Sequence, residues 1–332
     1  MQAWLLDTYG RQLRLAEVAE PVLAEDEVLI KVQAAGVNLL DAKIRKGEFR
    51  LILPYRLPLV LGHDVAGTVL ATGARVTRFA PGDEVYARPD DLRIGAFAER
   101  IAVRESALAK KPATLSMEQA ASLPLVGLTA WQALAEVAKL QAGEKVFIQA
   151  GSGGVGSIAI QLAKHLGAFV ATTASAANTA WVRELGADLV LDYKKDDIAA
   201  MLREYDVVLH SQDAATLATS LSILRPGGRL VSISGPPDPA FARAIGAPWL
   251  LGLAVRLLSA RVRRKARRRQ VRYDFLFMRA DGEQLGQIAA LADAGVLRPV
   301  IDSVFPFART PQALAHVEAG HAKGKVVISD AD

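Results

Sequence analysis

The stretch Lys145-Val146-Phe147-Ile148-Gln149-Ala150-Gly151-Ser152-Gly153-Gly154-Val155-Gly156 decides how this 332-residue chain is read. A short apolar run breaks into a glycine cluster, and from Val155 to Leu166 apolar residues recur at helical spacing, so the segment spells strand, turn, helix. Gly151, Gly153 and Gly156 fit the pattern GxGxxG in that setting, which is the context the dinucleotide fingerprint requires. Gly151 permits the tight turn, Gly153 lets the backbone approach a pyrophosphate, and Gly156 lets the helix pack close to the strand. Unpaired N–H groups at the helix start would face the anion. Gly151, Ser152, Gly153, Gly154, Val155 and Gly156 are therefore expected to hold a nucleotide cofactor.

Downstream the alternation continues. Strands are expected at Ala168 to Thr173, Leu189 to Leu191, Asp206 to Leu209 and, after a Pro226-Gly227-Gly228 turn, Arg229 to Ser234. Helices fall between them, as at Ala180 to Leu185. Such alternation implies an α/β fold with a doubly wound parallel sheet, because each crossover returns the chain to the same end. The end of the second strand selects the nucleotide. An acid there would bind the ribose 2′-OH of NAD, yet Thr172-Thr173-Ala174-Ser175-Ala176-Ala177-Asn178 has none, and no acid occurs between Glu144 and Glu184. A carboxylate would repel a 2′-phosphate, so its absence favours NADPH. No Arg or Lys sits at that strand end either, which leaves Thr173, Ser175, Asn178 and Tyr193 as candidate contacts. Ser175 and Asn178 read equally well as ordinary helix-start residues.

Upstream, the first ~120 residues are written in strands and turns. Glu27 to Val37 alternates with period two, and Gly67 to Ala71 and Phe97 to Val103 are further strand candidates. Ser116 and Gln119 form a capping box, and a longer helix pattern runs from Gly127 to Leu140. The last segment reads strand, helix (Pro311 to His321), strand. These shifts divide the chain into residues 1–122, joined by a return over 301–332, and residues 123–300.

Hydrophobic residues make up 51% of the chain and charged ones 23%, which excludes disorder and collagen. There is no cysteine, so disulfides, thiolate nucleophiles and sulfur-ligated metal sites are excluded. The net charge of +5 hides an asymmetry: ten basic and no acidic residues lie between Arg243 and Arg272. Without those ten, thirty basic residues face 35 acidic ones, so the rest carries −5. The N-terminus lacks a basic region before an apolar run, from which a cytoplasmic protein is expected. Arg256 and Arg261 interrupt the most apolar run, Ala244 to Val262, too soon for a membrane span.

Several stretches together resemble the medium-chain dehydrogenase/reductase superfamily across nearly the whole chain. They are Gly36-Val37-Asn38-Leu39-Leu40-Asp41 with Arg45 and Gly47, Gly62-His63-Asp64-Val65-Ala66-Gly67, Gly82-Asp83-Glu84-Val85, Gly127-Leu128-Thr129-Ala130-Trp131, the Gly151 turn, and Gly324-Lys325-Val326-Val327. The resemblance implies a Rossmann domain beside a GroES-like catalytic domain of β-barrel type. Within the superfamily the chain looks like the zinc-free quinone oxidoreductase branch, because Asn38 stands where zinc enzymes carry a cysteine ligand and the structural zinc lobe is missing. His63, Asp64 and Asp41 could hold a metal through nitrogen and oxygen; the expectation is none. The implied activity is hydride transfer from NADPH to a quinone or an α,β-unsaturated carbonyl, with hydrogen-bond donors rather than a metal at the developing oxyanion. Asn38 and His63, with Tyr55 as a third, are the candidate catalytic groups, against a plain reading of His63 as a buried core histidine. Asp41 is expected to order its loop, for example by pairing with Arg45. Thr129, Ser234 and Lys325 join the implied cofactor contacts, and a homodimer is the implied assembly. The sequence His210-Ser211-Gln212-Asp213 departs from the family's usual Asp-x-x-Gly.

The basic segment 248–272 reads as one helix, apolar in its first half and cationic in its second. It suits a solvated lid or oligomer edge, a peripheral contact with an anionic membrane, or attraction of an acidic substrate. Nucleic acid is disfavoured because no aromatic residues interleave the arginines. A functional alternative to the reductase is therefore a cofactor-binding regulatory or membrane-surface protein with little turnover.

Overall fold

The computed structural model describes residues 1–320 and 322–329; His321, the expected end of the last helix, and residues 330–332 lie outside them. The chain forms two compact units, Met1–Leu128 with Arg279–Asp332, and Thr129–Met278. The sequence reading set the boundaries at 122/123 and 300/301; the units meet at 128/129 and 278/279. The difference comes from helix Gly282–Asp293, whose Leu285 carbonyl accepts from Tyr86 Oη at 2.6 Å and which thereby belongs with the first unit's strands.

The second unit is built on a six-stranded parallel sheet among the described residues. Its strands are Lys145–Ile148, Phe169–Ala174, Leu189–Asp192, Tyr205–His210, Leu224–Ser232 and Arg272–Phe275. Counted within the unit in chain order, they run 3-2-1-4-5-6 across the sheet, the doubly wound Rossmann order. The order reverses between Lys145–Ile148 and Tyr205–His210, and in such sheets ligands bind outside the carboxyl ends at that switch. Apolar residues of the strands are buried on both faces, with Phe147, Val208 and Leu230 in register on one and Ile148, Leu209 and Val231 on the other.

Three details differ from expectation. The Pro226-Gly227-Gly228 segment lies inside the strand Leu224–Ser232 as an irregularity, with Gly227 at φ +80, rather than as a turn before it. The helix expected over 127–140 is α-helical at Pro124–Trp131 and then widens into a π-helix at Gln132–Val137. Segment 248–272 is two helices, Trp249–Leu258 and Ala260–Arg268, with Pro248 as the cap of the first. Ser259 separates them, its hydroxyl donating back to Val255 O at 2.9 Å. The cationic helix is divided around its face as well, since Val262 and Ala266 are buried in the core of the sheet's unit while its arginines are turned outward.

In the first unit the long strand Glu27–Val37 matches the alternating pattern and organises the barrel-like sheet. It pairs antiparallel with Asp64–Thr72, with Arg100–Arg104 and with Lys325–Ser329, so the C-terminal return supplies an integral strand. Register sets the chemistry: Gly36 lies opposite Asp64, and Val326 opposite Val37. A Cβ on Gly36 would lie 2.5 Å from Ala121 O and 2.8 Å from Asp64 Oδ2, so only glycine allows this approach.

Candidate functional site

The first unit gathers a buried polar cluster where strands Glu27–Val37, Asp64–Thr72 and Lys325–Ser329 meet helix Leu39–Lys46. Asp41, in the helix's first turn, accepts from Asn38 N at 2.9 Å, from Gly62 N at 3.2 Å and from His63 Nδ1 at 2.6 Å. Its expected partner Arg45 pairs with Glu318 at 2.6 Å instead, so Asp41 orders the loop through backbone amides and an imidazole. Asp64 accepts from Leu125 N at 2.7 Å, Asn38 Nδ2 at 2.8 Å and Lys325 Nζ at 2.9 Å. Lys325 also donates to Asn38 Oδ1. Both ends of the Asn38 amide are thus engaged inside the cluster, which orients the side chain without ambiguity: the oxygen faces an ammonium and the nitrogen a carboxylate.

The three candidate catalytic residues are consequently unequal. Asn38 has its amide donor held by Asp64. Tyr55 Oη donates to Asp91 O, and burial raises its pKa above the usual phenol range. His63 is fully buried with Nδ1 on Asp41, and its Nε2 has no hydrogen-bond partner among the described residues. An unpaired buried ring nitrogen costs desolvation free energy that a substrate oxygen or a water can recover. Lys325, expected among the cofactor contacts, stands in this cluster beside Asn38. Among the described residues no group of three or more acidic or histidine side chains is placed to hold a metal ion.

The second unit carries the glycine turn. A Cβ on Gly151 would lie 2.3 Å from Thr172 Oγ1, and one on Gly156 would lie 2.2 Å from Ala150 O. Both glycines are needed for packing strand against helix. At Gly153 the Cβ would meet only Ala150 O, at 3.3 Å, so its far side is open to an incoming group. Gly153 caps helix Gly154–His165 with no side chain to satisfy the free N–H groups of the first turn. Ser152, Gly154 and Val155 are partly exposed beside it. These features fit a pyrophosphate.

Thr173 is buried and structural in its contacts: its hydroxyl accepts from Ala150 N at 3.1 Å and fixes the turn to the next strand. Ser175 makes no capping bond, and Asn178 Oδ1 accepts from Trp181 Nε1 at 3.2 Å. Ala174 pairs with Asp192, so Ser175 and Tyr193 leave adjacent parallel strands at the same level. Tyr193 is exposed and the Lys194 ammonium lies 5.8 Å from its ring centroid. The sequence reading took Tyr193 from the neighbouring strand but passed over Lys194, one residue further on, because only the register of the two parallel strands brings that strand end level with Ser175. Thr129 is buried at the beginning of this unit, and the hydroxyl of the exposed Ser234 donates to Gln212 O.

At the switch point the altered His210 loop forms its own network. Gln149 Oε1 accepts from Ser211 N at 3.0 Å and Gln212 N at 3.2 Å, and its Nε2 donates to Ser220 Oγ at 3.2 Å. His210 Nδ1 lies 3.1 Å from the same hydroxyl. Burial pulls the His210 pKa down to about 4, so this network is neutral at pH 7.

Comparison with known proteins agrees with this layout. Residues 24–113 match the model of the alcohol dehydrogenase GroES-like domain, and residues 185–328 match that of zinc-binding dehydrogenases. The mitochondrial NAD(P)H oxidoreductase RTN4IP1 of Danio rerio is 35% identical, over 99% of this chain and 91% of its own. The chloroplastic NADPH-dependent alkenal/one oxidoreductase of Arabidopsis thaliana is also 35% identical, over 99% and 79% respectively. The solved quinone oxidoreductase from Coxiella burnetii superposes with a TM-score of 0.86 at 31% identity, covering 99% of both chains. With the glycine turn, the sheet order and the barrel-like unit in place, these similarities show that the chain belongs to the medium-chain dehydrogenase/reductase superfamily, in its quinone oxidoreductase-like branch.

Proposed function

We propose that the protein is an NADPH-dependent, zinc-independent reductase of quinones or α,β-unsaturated carbonyl compounds. The observation that carries the cofactor half of this reading is the strand edge at Ala174 and Asp192. No carboxylate follows Ala174 before Glu184, while Tyr193 and Lys194 emerge beside Ser175 with a hydroxyl and a cation for a 2′-phosphate. The substrate half is supported by relatives named for alkenals, alkenones and quinones.

NADPH supplies the hydride when bound. The protein's part is to hold the nucleotide at the glycine turn and to stabilise negative charge that develops on the substrate oxygen. We assign that task to His63. Asp41 fixes the ring through Nδ1 and compensates positive charge on it, which suits Nε2 to hold the proton that the reduced substrate takes up. Asn38 and Lys325 act with Asp64 as a brace for this loop. The Lys325 ammonium already neutralises Asp64, and the chain contains no cysteine ligand, so zinc is assigned no role. A cytoplasmic place of action and a homodimer belong to the same proposal and are read by cell fractionation and by sedimentation.

Purified protein should oxidise NADPH in the presence of 1,4-benzoquinone or hex-2-enal, with a preference over NADH of about tenfold or more from the phosphate contact. Prior chelation should leave the rate unchanged. Tight NADPH binding with no turnover across a panel of quinones and alkenals would instead favour the alternative, a cofactor-binding regulatory protein.

A further inference from the structure

We propose that helices Trp249–Leu258 and Ala260–Arg268 form a docking surface for a bilayer containing anionic lipids. The first helix is anchored by its inner face, where Val255 and Ser259 are buried. Its outer face leaves Trp249 75%, Leu250 62%, Leu253 46%, Leu257 67% and Leu258 67% exposed. Trp249, Leu253 and Leu257 recur every fourth residue and so form one stripe, with Leu250 and Leu258 along its side. Apolar exposure this continuous on one short helix marks an interaction surface.

The second helix adds charge to the same surface. Val262 and Ala266 pin it to the core, and a groove of about 510 Å³ is lined by Ala260, Arg261, Arg264, Lys265 and Arg268 together with Leu257 of the stripe. The apolar and cationic parts therefore share a border. Arg263 braces the joint between the helices, donating to Ser259 Oγ at 3.1 Å and to Arg256 O at 3.1 Å. None of Arg261, Arg264, Lys265 and Arg268 lies within ion-pair distance of a carboxylate among the described residues, so their charge is available to a partner.

Charge complementarity selects the partner. A soluble polyanion would engage the arginines and leave the leucine stripe in water. A second copy would cover the stripe while crowding two faces from a segment with ten basic and no acidic residues. An anionic bilayer satisfies both parts, with Trp249 and the leucines at the acyl boundary and the guanidinium groups among phosphates. The contact is peripheral, since no helix among the described residues is long and apolar enough to cross a membrane.

Vesicle flotation tests the proposal independently of any enzymatic activity. The full-length protein should float at low salt with phosphatidylcholine vesicles containing phosphatidylglycerol, be released by high salt, and stay behind with phosphatidylcholine alone. The triple variant R264Q/K265Q/R268Q should bind on the order of 100-fold more weakly, since each interfacial cation contributes about fivefold. The variant L253S/L257S should lose about tenfold or more. All five changed positions are outward-facing, so both variants should keep the parent melting temperature. Absence of binding to the anionic vesicles at low salt, or equal binding to neutral ones, would overturn the proposal. So would a stable dimer that L253S/L257S dissociates while vesicle binding is unaffected, because the stripe would then belong to a second copy.

Discussion

Asp64 is fully buried, and its two oxygens are divided among a backbone amide, the Asn38 amide and the Lys325 ammonium. Removing the ammonium leaves a carboxylate in the core without its counter-charge. Lys325→Met should therefore lower stability by about 3–5 kcal/mol in urea unfolding, and the double variant with Asp64→Asn should regain much of that loss. His63 is a different case, since its assigned role concerns the unpaired Nε2. His63→Gln should lower kcat for an enone by about 100-fold while leaving the affinity for NADPH unchanged. Asn38 and His63 were singled out only through the resemblance of their two motifs to the family, and Asp64 only as one of three possible metal ligands. Lys325 was recognised as part of a motif but given to the cofactor, because it lies 287 positions from Asn38 and reaches it only through strand pairing, which no local pattern encodes.

Among elements, the turn from strand Lys145–Ile148 into helix Gly154–His165 is the most completely encoded locally. Its glycines have separable duties, and substitution should separate them. Gly156→Ala places a Cβ 2.2 Å from Ala150 O and should cost about 2 kcal/mol of stability through overpacking. Gly153→Ala meets only a 3.3 Å contact, so it should fold normally and weaken NADPH binding, as read by fluorescence titration beside a thermal melt. Lys194 extends the site beyond the turn through register between two strands, and Lys194→Ala should raise the KM for NADPH by about tenfold with little change for NADH. The break at Ser259 escaped the sequence reading for a physical reason. No proline or glycine marks it, and a serine hydroxyl bonding back to Val255 O is compatible with a continuous helix as well as with a joint.

At the scale of the whole molecule, unfolding couples to the buried His210 network. The ordinary histidine pKa is 6.5, and burial holds that of His210 at about 4 in the folded protein. Both forms of the chain leave this group neutral above pH 6.5. As pH falls, the unfolded chain takes up the proton first, so the stability present above pH 6.5 is lost progressively towards pH 4, by about 3 kcal/mol in all. Urea midpoints measured across that window should fall, and His210→Gln should flatten the slope. The net charge of +5 likewise resolves into a chain of −5 carrying one cationic surface, anchored at Val262 and Ala266. The central claim is hydride transfer from NADPH to the β-carbon of a conjugated carbonyl, and isotope tracing tests it most directly. With NADPH deuterated at C4 and hex-2-enal as acceptor, the product should be the saturated aldehyde carrying deuterium at the β-carbon. Deuterium on the carbonyl carbon of an alcohol product, or no transfer to any alkenal or quinone, would contradict it.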